Sequence, residues 1–138
     1  MVGPRVFEVE EVDRLIPRLE GIFGELDAVR EGLRRSKLRI NALELIWGAK
    51  IQEEDNPDHG ELVAHLEDLK RGQKEVEALT QRIAEFGGQV KGLDPALVDF
   101  FGVQDSILVV WCWTRGEERI DHWHHVDEGF AGRRTIER

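Results

Sequence analysis

The sequence predicts an α+β fold: a long antiparallel α-helical hairpin, coiled-coil-like in its packing, set on a small C-terminal antiparallel β-sheet. Three observations predict it. Apolar residues recur in alternating steps of three and four from residue 12 to 47, and again from 62 to 83, the period of a helix packed along a seam. The two seams mirror each other about a short polar turn. After Gly87-Gly88 the helical period stops, and β-branched and aromatic runs begin, separated by turn residues.

The first helix is expected over 10–51. Its seam is Val12, Leu15, Leu19, Ile22, Leu26, Val29, Leu33, Ser36, Ile40, Leu43 and Trp47, widened near the start by Ile16 and Phe23. Pro17 falls within the first turns or kinks the helix there. Gly21, Gly24, Gly32 and Gly48 lie off the seam, each costing up to about 1 kcal/mol against Ala, so packing rather than propensity must hold the helix. The second helix is expected over 57–86. Asn56-Pro57 reads as an N-cap with proline at the first helical position, and Gly87-Gly88 as a stop.

Along the second helix the pattern reads Leu62, Leu66, Leu69, Gln73, Val76, Thr80 and Ile83. Pairing residues whose numbers sum to 109 sets Trp47 against Leu62, Leu43 against Leu66, Ile40 against Leu69 and Ser36 against Gln73. Antiparallel helices joined by a turn at about 51–56 produce such a mirror. The doubly polar layer of Ser36 and Gln73 has the character of a register-setting layer. The hairpin should be about 50 Å long or more, at about 1.5 Å per residue.

The sheet and tail occupy 88–138. Residues 89–93 form a short strand, Asp94-Pro95 starts a turn, and 97–101 form a second strand. Residues 107–113, apolar on both faces, form a third, with 119–125 as its hairpin partner across 115–118. A strand apolar on both faces is covered on both, and Val12, Ile16, Leu19 and Phe23 of the first helix are the natural cover on one side. Residues 127–134 read as a loop carrying a basic tail.

At 138 residues the chain reads as a single domain over 1–138. Its 19 Lys and Arg against 28 Asp and Glu give a net charge of −9, which disfavours nucleic-acid binding, because neutralising phosphates needs a basic surface. A single Cys excludes an intrachain disulfide and fits a reducing compartment. The longest apolar run, 107–113, is far too short to span a bilayer, and no apolar leader opens the chain. The expectation is a soluble, cytoplasmic protein without nucleic-acid or membrane partners.

Cys112, His122, His124, Asp99 and Glu117 are residue types that a transition metal takes as ligands. His122 and His124 stand two apart on a strand and so share a face. Whether Cys112 joins them depends on register: a two-residue turn at Gly116-Glu117 sets it opposite Asp121, and a one-residue slip sets it opposite His122. No CxxC, HxxxH or HExxH pattern is present, and the spacing favours the plainer reading, with Cys112 packed as a small apolar residue. No cofactor follows from the sequence, although this donor set would accept a transition metal.

Trp111, Trp113, Trp123, Phe100 and Phe130 form the densest aromatic cluster, either a core or the wall of a pocket with Arg115, Arg133, Glu117 and His124 as polar anchors. A Cys112–His124 nucleophile pair oriented by Asp99 is conceivable, yet no strained elbow or glycine-rich oxyanion turn adjoins the cysteine. Residues 129–134 could offer N–H groups and a guanidinium to an anion, though a glycine-rich turn explains them more simply. Arg30, Arg34, Arg35, Lys37 and Arg39 form a basic stretch whose natural partners are Glu67, Asp68, Glu75 and Glu77 of the second helix.

Read as one string, Val90-Lys91, Leu97-Val98-Asp99-Phe100, Cys112-Trp113, Gly116-Glu117, Trp123-His124, Gly129-Phe130 and Arg133 resemble the bacterial and archaeal family catalogued as DUF2203, a domain of unknown function. The opening Phe7-Glu8-Val9-Glu10-Glu11 through Leu15-Ile16-Pro17 is similar to the family's start. Ala96 stands where a glycine is usual, Thr114 where a basic residue is common, and Glu8 where a capping Ser or Thr often sits. The resemblance implies a shared pattern that includes Asp99, Cys112, Gly116, Glu117, Trp123, His124 and Arg133, and it brings no known activity.

Two functions are therefore expected, and no catalytic residue is assigned in either. The leading one is a non-enzymatic interaction or oligomerisation module, a homodimer built on the helical hairpin, because Ile16, Phe23, Val63 and Leu79 flank the seam. The alternative is a small-ligand or metal site at the sheet, with Asp99, Glu117, His124, Arg133 and Trp123 as ligand-binding residues and His122, His124 and Cys112 as metal ligands. An unidentified small molecule or protein would be the partner.

Overall fold

A computed structural model describes residues 5–138. Helix α1 runs Val9–Trp47, a 3-10 turn follows at Gly48–Gln52, and helix α2 runs His59–Glu85. Five strands complete the α+β fold: β1 Gln89–Leu93, β2 Ala96–Gln104, β3 Ile107–Thr114, β4 His122–His125 and β5 Arg134–Thr135. They lie in the order β1-β2-β3-β4-β5, each antiparallel to the next. The described chain divides into two compact units: residues 5–23 with 80–138, and residues 24–79.

In the first unit the start of α1 covers one face of the sheet. Glu8 stands at the helix N-terminus, where its N–H donates to Glu11 Oε1 at 2.9 Å, so a glutamate three residues on serves the cap that a Ser or Thr would otherwise share. Val12, Ile16, Leu19 and Phe23 are all buried, as their spacing predicts. Phe23 packs on Trp113 with ring centroids 5.8 Å apart, and Phe7 meets Phe100 edge-on at 5.3 Å. Polar contacts pin the same helix: Asp13 accepts the Ile120 N–H at 2.7 Å, and Glu20 accepts the Gly116 N–H at 3.1 Å.

The β2–β3 connection is a two-residue turn, with Asp105 and Ser106 both at positive φ (52° and 64°), the backbone that matches the twist of a tight hairpin. Between β3 and β4 the chain makes a longer excursion that buries Ile120 completely. Cys112 accordingly pairs with His122 rather than Asp121. Residues 130–132 form a 3-10 turn, and β5 adds a short fifth strand where a loop was expected. Phe7 N–H donates to the Phe101 carbonyl at 2.8 Å, extending the sheet beside β2.

In the second unit α1 and α2 form an antiparallel pair. Gly48, at φ 61°, ends the α-helix earlier than expected, since that left-handed conformation suits glycine. Asn56 does not cap α2; its side chain accepts the Asp58 N–H at 2.8 Å in a local turn, and the helix starts at His59. Ile40, Leu43, Ile51 and Leu62 form a core joined by Trp47 and Leu69.

The seam of α1 is as read, but that of α2 is shifted at alternate positions. Leu66 and Gln73 are exposed, while His65, Gly72 and Leu79 are partly or fully buried. A Cβ on Gly72 would stand 2.5 Å from Leu33 Cδ2, so Leu33 fills the space that glycine leaves. Trp47 Nε1 donates to Asp58 at 2.9 Å. The pairs 33 with 72 and 47 with 58 both sum to 105 rather than 109, a displacement of about one helical turn. Ser36 is buried but has no partner layer in Gln73. Arg39 crosses to Glu61 at 2.5 Å, and Arg34 stays on its own helix with Glu31 at 2.6 Å.

Candidate functional site

Side chains alternate across a strand, so the register decides which residues share a face. Val98 pairs with Trp113 and Phe100 with Trp111, while Asp99 pairs with Cys112 and Phe101 with Val110. The first set faces the helix and is buried. The second set lies on the opposite face, and β4 adds His124 beside Val110 and His122 beside Cys112.

On that second face Asp99, Cys112 and His124 converge. One ligand atom from each lies within 4.8 Å of the other two, and all three residues are buried, His124 to 4 % exposure. His124 Nδ1 donates to its neighbour's carbonyl, His125 O, at 2.7 Å. A carbonyl only accepts, so this bond places the proton on Nδ1. The other ring nitrogen, Nε2, faces Asp99 Oδ2, 3.6 Å away.

Burial pushes the Asp99 carboxyl up, against opposing pulls from His124, Cys112 and Lys91. Burial, and then the Asp99 charge, push the Cys112 thiol up to about 12, with Arg133 pulling the other way. Such a thiol is protonated and weakly nucleophilic at neutral pH. Asp99 faces Nε2, while the other ring nitrogen is held by a backbone carbonyl rather than a carboxylate. The arrangement thus differs from a nucleophile–base–orienter relay. It matches a ligand set instead: a histidine fixed through its far N–H by a carbonyl, as metal-binding histidines are.

The three residues form the floor of a cavity of about 440 Å³. Its walls are Leu97, Phe101, Val110, Val126 and Phe130, with Gln89, Lys91 and Glu128 also lining it. The loop 126–130 and the 3-10 turn provide one wall. Arg133 stands close by: its guanidinium lies 4.0 Å from the Phe130 ring centroid and donates to Thr114 Oγ1 at 3.2 Å.

The structure thus brings together Asp99, Cys112 and His124, with Arg133 at their edge. His122 shares their face but bonds Glu117 Oε2 through Nδ1 at 3.2 Å, outside the group of three. Glu117 also accepts the Thr114 N–H at 2.6 Å and braces the β3–β4 loop. Trp123 falls on the opposite face, paired with Trp111 and packed edge-on against His125 at 5.1 Å. Trp111 and Trp113 are core. The turn at 129–134, read from sequence as glycine-rich rather than anion-binding, spends the N–H groups of Gly132 and Arg133 on the carbonyls of Gly129 and Phe130. Lys91, Phe101, Val110 and Val126 were not singled out from the sequence; alternation along β2 and β3 could have placed Phe101 and Val110 beside Asp99 and Cys112.

A family model described as an uncharacterised conserved protein, DUF2203, matches residues 5–136. The chain belongs to the DUF2203 family. No curated protein and no solved structure matches it. The matched span includes every residue of the cavity, so the site lies wholly within the DUF2203 region. Among the described residues no helix is long and apolar enough to cross a membrane.

Proposed function

We propose that this protein binds a single divalent transition-metal ion through Asp99, Cys112 and His124. The observation that carries the reading is the convergence of a carboxylate, a thiol and an imidazole within 4.8 Å in a buried corner of a cavity. Nitrogen, sulfur and oxygen donors together suit zinc and its neighbours rather than calcium or magnesium. Three protein ligands with a fourth position open to a cavity is the pattern of sites that bind or activate a further molecule. A reducing, cytoplasmic setting, which would keep Cys112 a thiol, is part of the same proposal.

The test is titration of metal-free protein with Co²⁺. One equivalent should bind with sulfur-to-cobalt charge-transfer absorption, which Cys112→Ser abolishes. His124→Ala and Asp99→Ala should each weaken binding by about tenfold or more. Absence of uptake, or uptake unchanged in Cys112→Ser, would overturn the reading.

A second reading rests on the unit of residues 24–79, where Leu38, Leu45, Ile46, Val63 and Leu66 are exposed. Large apolar side chains left in water favour association, and we propose a homodimer formed through the hairpin. Sedimentation equilibrium at micromolar concentration should give twice the chain mass, reduced to one chain mass by Leu45→Glu. A monomeric wild type would overturn it.

A further inference from the structure

The cavity has a charge imbalance that the metal reading, on which this inference rests, brings out. A divalent ion with the Asp99 carboxylate and a Cys112 thiolate is electrically neutral as a group. Two cations adjoin it. Lys91, carried on the irregularity between Val90 and Gly92 of β1, lines the cavity. Arg133 is fixed over the Phe130 ring and on Thr114. The other carboxylate of the lining, Glu128, is already engaged: Arg134 donates to it at 2.7 Å, and the His125 N–H donates to it at 3.0 Å. Apart from Gln89 and Gly129, the rest of the lining is apolar side chain: Leu97, Phe101, Val110, Val126 and Phe130.

We infer that the cavity binds a small organic acid, its carboxylate set between the metal and Lys91 and its apolar body held by Phe101, Phe130 and their neighbours. A volume of about 440 Å³ is in the range of small-molecule sites, which are apolar with a few placed polar groups. Low-dielectric walls strengthen the attraction between an anion and the paired cations. An inorganic anion would satisfy the charge and leave the apolar wall unfilled.

Benzoate, its neutral isostere benzamide and inorganic phosphate distinguish these contributions on Co²⁺-loaded protein, read by the cobalt visible spectrum and by calorimetry. Benzoate should perturb the spectrum and bind about tenfold or more tighter than either benzamide or phosphate. Lys91→Gln should take up Co²⁺ as the wild type does and bind benzoate about fivefold or more weakly. Benzamide binding as well as benzoate, or a Lys91→Gln variant with undiminished benzoate affinity, would overturn the inference while the metal site stands. Failure of the wild type to take up Co²⁺ would overturn the metal reading, and the inference with it.

Discussion

Gly102 on β2 is occupied from outside by Trp111 of β3: a Cβ at position 102 would stand 2.0 Å from the indole Nε1. The ring lies across the glycine to donate to the Phe7 carbonyl at 2.8 Å, which ties the N-terminal segment to the sheet. Gly102→Ala must push this ring aside and break that bond. Overpacking a core typically costs about 1–3 kcal/mol, and the variant should lose about that much stability in urea unfolding. Unchanged stability would show that the ring can move freely.

Asp13 gives the chain a pH-dependent tie. Burial raises its pKa, but bonds from Arg138 and from the Ile120 N–H together hold the carboxyl below its ordinary 3.8. A folded-state value below the unfolded one means stability that is fully present above pH 3.8 and lost as pH falls through the depressed value. Asp13→Asn should cost about 1.5–3 kcal/mol at pH 7, as expected for bonds to a charged group. The gap from wild type should close as unfolding is measured at progressively lower pH below about 4.

The displaced seam of α2 makes a paired prediction. Leu66 is exposed and Leu62 is 1 % exposed. Leu62→Ala should cost about 2–5 kcal/mol, and Leu66→Glu should change stability by no more than about 0.5 kcal/mol. Thermal unfolding of the two variants checks it, and a large loss from Leu66→Glu would restore the seam read from sequence. Because Leu66 also belongs to the apolar surface of the hairpin, its substitution is best measured at low protein concentration.

Metal binding should register in stability and in protons. Zinc at about a hundred times its dissociation constant should add about 2.7 kcal/mol to unfolding, an increment absent from Cys112→Ser. With the thiol pushed up to about 12, the metal must displace its proton. Calorimetry in buffers of different ionisation enthalpy should report about one proton released per ion near pH 8.

The parts of the molecule legible in the sequence are those where size and periodicity agree. The α1 seam is unbroken because each position carries an apolar or small residue, and Gly87-Gly88 ends α2 where the period ends. The α2 seam misleads because His65 and Gly72 take core positions, while the more apolar Leu66 faces water. A glycine that accepts a neighbour's side chain leaves no hydrophobic signal of its own. The candidate site shows the same division. Asp99, Cys112 and His124 stand out by residue type, but the pairing that sets Asp99 beside Cys112 and the bond that draws His122 off to Glu117 appear only in the fold. Lys91 carries no periodic signal because it sits at an irregularity of β1.

The alternation of β3 has a consequence for errors in assembly. Trp111 and Trp113 face the helix, while Val110 and Cys112 face the cavity, so the two sets are interleaved on one strand. A slip of one residue would carry Cys112 into the aromatic layer and turn an indole into the cavity. Within this strand, no one-residue slip could keep the core and lose only the site. Folding therefore proofreads the donor set: a chain whose hydrophobic layer has closed correctly has already delivered Cys112 to Asp99 and His124.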